Sequence, residues 1–206
     1  MEILNYMALV KHNNNSISAV TSMASLTTGA MILISEQTAS SSASIEFTTG
    51  IDSTYPIYKF EFINCHPATN NVKFQFNLTT DGTNFNVTKT STYFAAYHSE
   101  VDDAGLAYST GSDLAQSTSD QPIAEDVGSD NDQAPSGSLF LYNPSSTTFV
   151  KHYLAIMSNS QQTDYSQHIF VGGYGNTTSA ITGVRFKFAS GNIDSGTIKL
   201  YGIKDS

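Results

Sequence analysis

YKFEF (residues 58–62) and VKFQFNL (residues 72–78) decide the fold. In the first, Tyr58, Phe60 and Phe62 share one side, with Lys59 and Glu61 opposite. In the second, Val72, Phe74, Phe76 and Leu78 oppose Lys73, Gln75 and Asn77. Side chains alternate faces along an extended chain, so a period of two marks strands with one buried face. The pattern recurs at residues 43–47, at Val184, Phe186 and Phe188 against Arg185 and Lys187, and at Ile198 and Leu200 against Lys199 and Tyr201. Residues 30–34 form a continuous apolar run, the signature of a strand buried on both faces. Asp81-Gly82 suits a tight hairpin turn, because both residues accept positive φ, and residues 85–98 then run back. Further strands fall at residues 139–142, at residues 149–157 with Val150, His152, Leu154 and Ile156 on one face, and at residues 168–174. The glycine-rich stretch 190–196 reads as a turn.

No segment has a convincing helical period, and no period of 20 to 50 residues repeats. Many short strands at this spacing give a sandwich or barrel. The expectation is an all-β, antiparallel jelly-roll β-sandwich of about 8–10 strands (residues 29–206), preceded by an extended N-terminal arm (residues 1–28). The arm has scattered apolar residues without a period. Leu9, Val10, Ile17, Val20, Met23 and Leu26 are its expected partner-anchoring residues. Met7 offers a second plausible start.

Residues 99–137 break the strand pattern. They hold nine of the 18 acidic residues, and no Lys or Arg occurs between Lys89 and Lys151. Such a length is expected to be functional or to contain short elements of its own. Leu106, Leu114 and Ile123 are the residues expected to pin them.

Composition narrows the function. The 206-residue chain carries a formal charge of −9 and a single Arg, which argues against nucleic-acid binding. Charged residues make up only 13%, whereas Ser and Thr together number 51, so polarity comes from hydroxyls and amides. No apolar run approaches the roughly 18 residues of a membrane span, and the N-terminus has no signal-peptide pattern. The lone Cys65 excludes an intrachain disulfide and reads as a small buried apolar side chain.

No catalytic, cofactor or metal site emerges. The five His residues (His12, His66, His98, His152 and His168) lack zinc spacing. His66 reads as a turn residue and His152 as a core histidine. There is no G-x-S-x-G elbow. Carboxylate pairs such as Asp102 and Asp103 read as solvated loop acids, and Asp130-Asn131-Asp132 lacks the rest of a calcium loop. Tyr108, Tyr142, Tyr165 and Tyr174 are candidates for stacking on sugar rings, against the simpler reading of half-buried sheet residues.

The ending FKFASGNIDSGTIKLYGI (residues 186–203) resembles the closing hairpin of bacteriophage virion proteins common in marine phages. SSASIEFTTGIDSTYPIYKFEFINCHPAT (residues 41–69) resembles their opening strands, and ISAVTSMASL (residues 17–26) their N-terminal anchors. The resemblance implies a jelly-roll module in a virion surface protein, as in head decorations, fibres and tail appendages, with no catalytic motif to transfer. The expected function is a non-enzymatic structural protein on the outside of a phage particle, a capsid decoration or compact knob. Other virion proteins are its expected partners, homotrimer its expected state, and host surface glycans a further contact. The alternative is a carbohydrate-binding module or the receptor-binding tip of a tail fibre.

Overall fold

The computed structural model describes residues 30–204. The expected arm and its anchoring residues lie outside these. Twelve strands follow in chain order: β1 (Met31–Ser42), β2 (Ile45–Phe47), β3 (Ile57–Pro67), β4 (Val72–Thr79), β5 (Lys89–Ser99), β6 (Ala104–Tyr108), β7 (Gln121–Val127), β8 (Ser136–Tyr142), β9 (Lys151–Ser160), β10 (Tyr165–Gly175), β11 (Gly183–Phe188) and β12 (Ile193–Ile203). They form two antiparallel sheets, β1-β12-β3-β8-β9-β10-β5-β6 and β2-β11-β4-β7. No helix occurs among the described residues. The fold is an all-β sandwich. Twelve strands exceed the eight to ten expected, because β2 is only three residues long and the acidic excursion holds β6 and β7.

The pairing is nested. β1 pairs with β12, β2 with β11, β3 with β8 and β4 with β7. β9, β10, β5 and β6 then extend the larger sheet beyond β8.

The core follows the alternation. Tyr58, Phe60, Phe62, Phe74, Phe76, Leu78, Val184, Phe186, Phe188, Ile198 and Leu200 are all buried. Phe186 stands at the centre, with the rings of Phe60 and Phe62 each 5.0 Å away, edge to face. That geometry sets the positive ring edge on the negative ring face. Each buried Phe contributes about 1.5–3 kcal/mol. Cys65 is buried among these residues, and burial pushes its thiol up to about 12. The sulfur therefore stays protonated and inert.

Several expectations need correcting. β1 is an edge strand, and Met31 and Leu33 are exposed, so the run at residues 30–34 is not buried on both faces. A continuous apolar run does not tell a two-face burial from an edge. The turn at Asp81-Gly82 forms, with Gly82 at φ +77°, but it closes no hairpin: β5 pairs with β10 and β6 in the other sheet. The Asp81 carboxylate accepts from Thr79 Oγ1, Thr83 N, Asn84 N and Asn84 Nδ2. These bonds hold it well below the usual carboxylate range and lock a loop that carries the chain across the sandwich.

On β9 the faces are exchanged. Lys151, Tyr153, Ala155, Met157 and Asn159 are buried, while His152, Leu154, Ile156 and Ser158 face outward. His152 is thus no core histidine; its ring rests edge-on against Tyr174 at 6.2 Å. Asn77 is buried although its phase points away from the core, because residues 109–120 wrap over the outside of the smaller sheet. Asn77 Nδ2 donates to Thr118 O and Asp120 Oδ1, and Lys73 Nζ to Gly111 O. Ile123 does pin the excursion, fully buried, but Leu106 is 72% exposed. Gly196 belongs to β12 rather than to the preceding turn. Its φ is +122°, and a Cβ there would lie 2.5 Å from Asn64 O. The β3–β12 register shifts on either side of Ser195, and the second shift spans Gly196.

Candidate functional site

Eight strands facing four leave part of the larger sheet uncovered. The overhang is the inner side of β10, β5 and β6, with the adjoining strand ends. Inward positions there are polar: Gln167 on β10 and Tyr97 on β5 continue the phase of buried Ile169 and Tyr93. Two adjoining clefts result. One, about 390 Å³, lies over the inner face and includes Tyr97, Asp103, Glu125, Gln161, Tyr165 and Gln167. The other, about 630 Å³, opens where β5 and β9 end and β8 and β10 begin, with Glu100, Asp132, Ser158, Asn159, Asp164 and Tyr165 among its walls.

Tyr165 lines both clefts. Its ring meets Tyr97 edge to face at 5.7 Å. Its hydroxyl donates to Asp103 Oδ2 at 3.2 Å, and that bond raises the phenol above its ordinary range. Tyr97 lies over Gly105, where a Cβ would sit 2.7 Å from its hydroxyl. A side chain at position 105 would push that ring aside. Asn159, 2% exposed, donates from Nδ2 to Glu125 O at 2.7 Å and to Gln167 Oε1 at 3.1 Å. Among the described residues its Oδ1 has no hydrogen-bond partner. The Tyr93 hydroxyl is likewise buried without one, and burial raises its pKa, helped by Glu125 and Asp126.

Glu125, Asp102 and Asp103 have separate hydrogen-bond partners. Glu125 accepts from Ser112 Oγ and Ser109 Oγ. Adjacent Asp102 and Asp103 diverge: Asp102 meets His98 Nε2 at 3.3 Å in solvent, while Asp103 meets Tyr165. Among the described residues no three His, Cys, Asp or Glu side chains gather as metal ligands. Asp130 and Asp132 are exposed. The Asp130 carbonyl receives His66 Nε2 and Gln133 N, which fixes a turn.

A second surface lies on the outer face of the larger sheet. Ile156, Phe170, Phe94 and Tyr108 stand in register across β9, β10, β5 and β6. Phe94 and Phe170 stack at 5.1 Å. Phe94, Leu106, Tyr108, Leu154 and Ile156 are between 39% and 72% exposed. From β9 to β6 the outward positions carry no Lys, Arg, Asp or Glu among the described residues.

Of the four tyrosines singled out from the sequence, Tyr165 lines these two clefts. Tyr108, Tyr142 and Tyr174 lie on the outer face: Tyr108 donates to Asp113 Oδ2, and Tyr142 stacks on Phe140 at 6.5 Å. Sequence reasoning missed Tyr97, Asn159 and Gln167. The available signal was a polar residue in phase with a buried apolar set, as Asn159 is with Tyr153, Ala155 and Met157. No family model matches this chain, and no curated protein or solved structure matches it significantly.

Proposed function

We propose that the chain is a non-enzymatic structural protein on the outer surface of a phage particle, attached through residues 1–28 and assembled as a homotrimer. One observation carries the reading: the charge-free apolar strip of Phe94, Leu106, Tyr108, Leu154 and Ile156 on the outer face. Exposed patches of this kind mark protein contacts. On a chain of charge −9, the strip is where like-charged copies can meet with few charges to bury, the Asp113 carboxylate on the Tyr108 hydroxyl being one. A second copy of this chain is therefore its proposed occupant. The nested strand order supports a jelly roll extended by four inserted strands, in keeping with the resemblance to virion modules.

Labelling the protein on intact virions tests location, and light scattering tests assembly. The expected mass is three times 22.2 kDa; a monomer at micromolar concentration overturns the assembly. Deleting residues 1–28 should leave the melting temperature nearly unchanged and abolish incorporation into particles. Equal incorporation of the truncated chain overturns the anchoring role.

A second reading, a carbohydrate-binding module or fibre tip, is favoured by the clefts beside Tyr165, where an aromatic ring stands among amides, hydroxyls and carboxylates.

A further inference from the structure

We infer that Lys89 and Asn77 become joined by an isopeptide bond, which the folded chain forms on itself with loss of ammonia. Neither the virion nor the glycan reading is needed for it.

Two buried side chains meet at the site. Lys89 opens β5 in the larger sheet, and Asn77 lies on β4 in the smaller one. Lys89 Nζ stands 2.5 Å from Asn77 Oδ1. The amide is oriented at both ends without help from the lysine. The Leu78 backbone N–H donates to Oδ1 at 2.9 Å, and Nδ2 donates to the Thr118 carbonyl at 3.0 Å. Amine and amide are thus held side by side, which makes their reaction intramolecular.

The amine is suited to attack. Among the described residues its acceptors are Asn77 Oδ1 and, at 2.8 Å, the Val87 carbonyl, both uncharged. A buried ammonium with no carboxylate bonded to it is costly, so burial favours the neutral, nucleophilic form. Burial lowers the Lys89 pKa to about 8; Asp120 opposes the fall and Arg185 adds to it.

The other members of the cluster fit the step. The lone pair of Nζ attacks Asn77 Cγ, and the carbonyl electrons move to Oδ1, where the Leu78 N–H stabilises the developing charge. Asp120 Oδ1 accepts from Nδ2 at 2.8 Å and is held by Arg185 Nη2 at 3.1 Å. It takes the proton released by Nζ and delivers it to Nδ2; the Cγ–Nδ2 bond breaks and ammonia departs. An amine and a primary amide become a secondary amide and ammonia, so no oxidant, reductant or co-reactant enters. The wrapped segment 109–120 covers the outside of Asn77, and excluding water suppresses competing hydrolysis. The product ties β4 of one sheet to β5 of the other and removes a buried charge. The stability rise with pH that a free Lys89 amine confers belongs to the chain before it reacts.

Mass spectrometry of the full chain, kept folded at pH 9, tests the inference. The intact mass should fall short of the sequence mass by one ammonia. Trypsin should no longer cut after Lys89. Chymotrypsin, cutting after Leu78 and Phe85, should release peptides joined through Asn77 and Lys89. Asp120→Asn keeps the shape of the carboxylate but cannot carry the proton, so it should fold and retain its ammonia. Lys89→Met should also show its full sequence mass. A folded parent chain of full mass overturns the inference. So does an ammonia-deficient chain that trypsin still cuts after Lys89, which marks a succinimide at Asn77 instead. Joining of Asp120→Asn to the same extent as the parent overturns the proton path through Asp120.

Discussion

The inside of the sandwich has two regions built on the same alternation rule. Where β3, β12, β4 and β11 face one another, inward positions are large and apolar, and Phe186 is enclosed by the rings of Phe47, Phe60, Phe62 and Phe74. Where β10, β5 and β6 overhang the smaller sheet, inward positions are Tyr97, Tyr165 and Gln167, and clefts replace packing. Period-two patterning therefore tells which side of a strand faces in where only one set is apolar, as on β3 and β4, and fails on β9, where both sets are. Whether that side is filled depends on how many strands the opposite sheet supplies.

The largest expected effect separates these regions. Phe186→Ala should cost about 3–5 kcal/mol, as expected for a large ring removed from a close-packed core. Tyr97→Ala, over an open recess, should cost less than about 1 kcal/mol. Urea titration of both variants checks the contrast. Similar losses at the two positions would mean that the overhang is packed as tightly as the centre.

The outer face offers a second contrast. The β1-β12-β3 half carries ion pairs, Lys59 with Glu61 at 3.0 Å and Lys199 with Glu36 at 3.3 Å. The β9-to-β6 half carries the apolar strip. Replacing Leu154 and Ile156 by Lys should dissociate the proposed trimer while changing the stability of the isolated subunit by less than about 1 kcal/mol. Replacing Lys199 and Glu36 by Ser should leave assembly intact. Light scattering reads both, and a trimer that survives the lysines would remove the strip from the interface.

Much of the closed region was legible in the sequence, because Tyr58 to Phe62, Val72 to Leu78 and Val184 to Phe188 alternate with large apolar residues that can have only one inward side. The overhang was not. Asn159 and Gln167 are polar at inward positions, so hydropathy alone puts them with solvent. The exchange of faces on β9 has the same origin: Leu154 and Ile156 look like core, and the true inward set includes Lys151 and Asn159. Nor does a turn signal reveal which sheet the chain enters next, which is why Asp81-Gly82 suggested a hairpin that does not form.

Buried lysine separates the regions in a third way. Lys89 is fully buried at the start of β5 and donates to Asn77 Oδ1 and Val87 O. Burial lowers its pKa to about 8 from 10.5. Between those values the unfolded chain binds more protons than the folded one, so stability rises with pH across that window. The gain should be about 1–3 kcal/mol. Above about pH 9 the net sign reverses, because Cys65, Tyr58, Tyr93 and Tyr153 have raised pKa values and the unfolded chain releases their protons first. Stability should therefore peak near pH 9. Lys89→Met should flatten the rise and leave the fall, as urea midpoints from pH 7 to 11 would record. A rise that persists in the variant would assign it to another group.

The smallest effects concern the acids of the excursion. Asp120 is partly buried on the outer side of the smaller sheet, where it accepts from Arg185 Nη2 at 3.1 Å and from Asn77 Nδ2 at 2.8 Å. Asp102 pairs with His98 at 3.3 Å, but its side chain is 97% exposed. Both look like ion pairs by distance. They differ in what removal leaves behind. Asp120→Asn leaves Arg185 without its counter-charge beside the lowered Lys89, and should cost about 1–2 kcal/mol. In Asp102→Asn the histidine stays in water, where exposed pairs contribute little, and the change should fall below about 0.5 kcal/mol. Raising the salt to 1 M should shrink the second effect to nothing and spare most of the first, since water and ions screen only what they reach. Equal sensitivity of the two variants to salt would show that the wrapped segment 109–120 opens in solution, and that the outside of the smaller sheet is no more closed than the overhang.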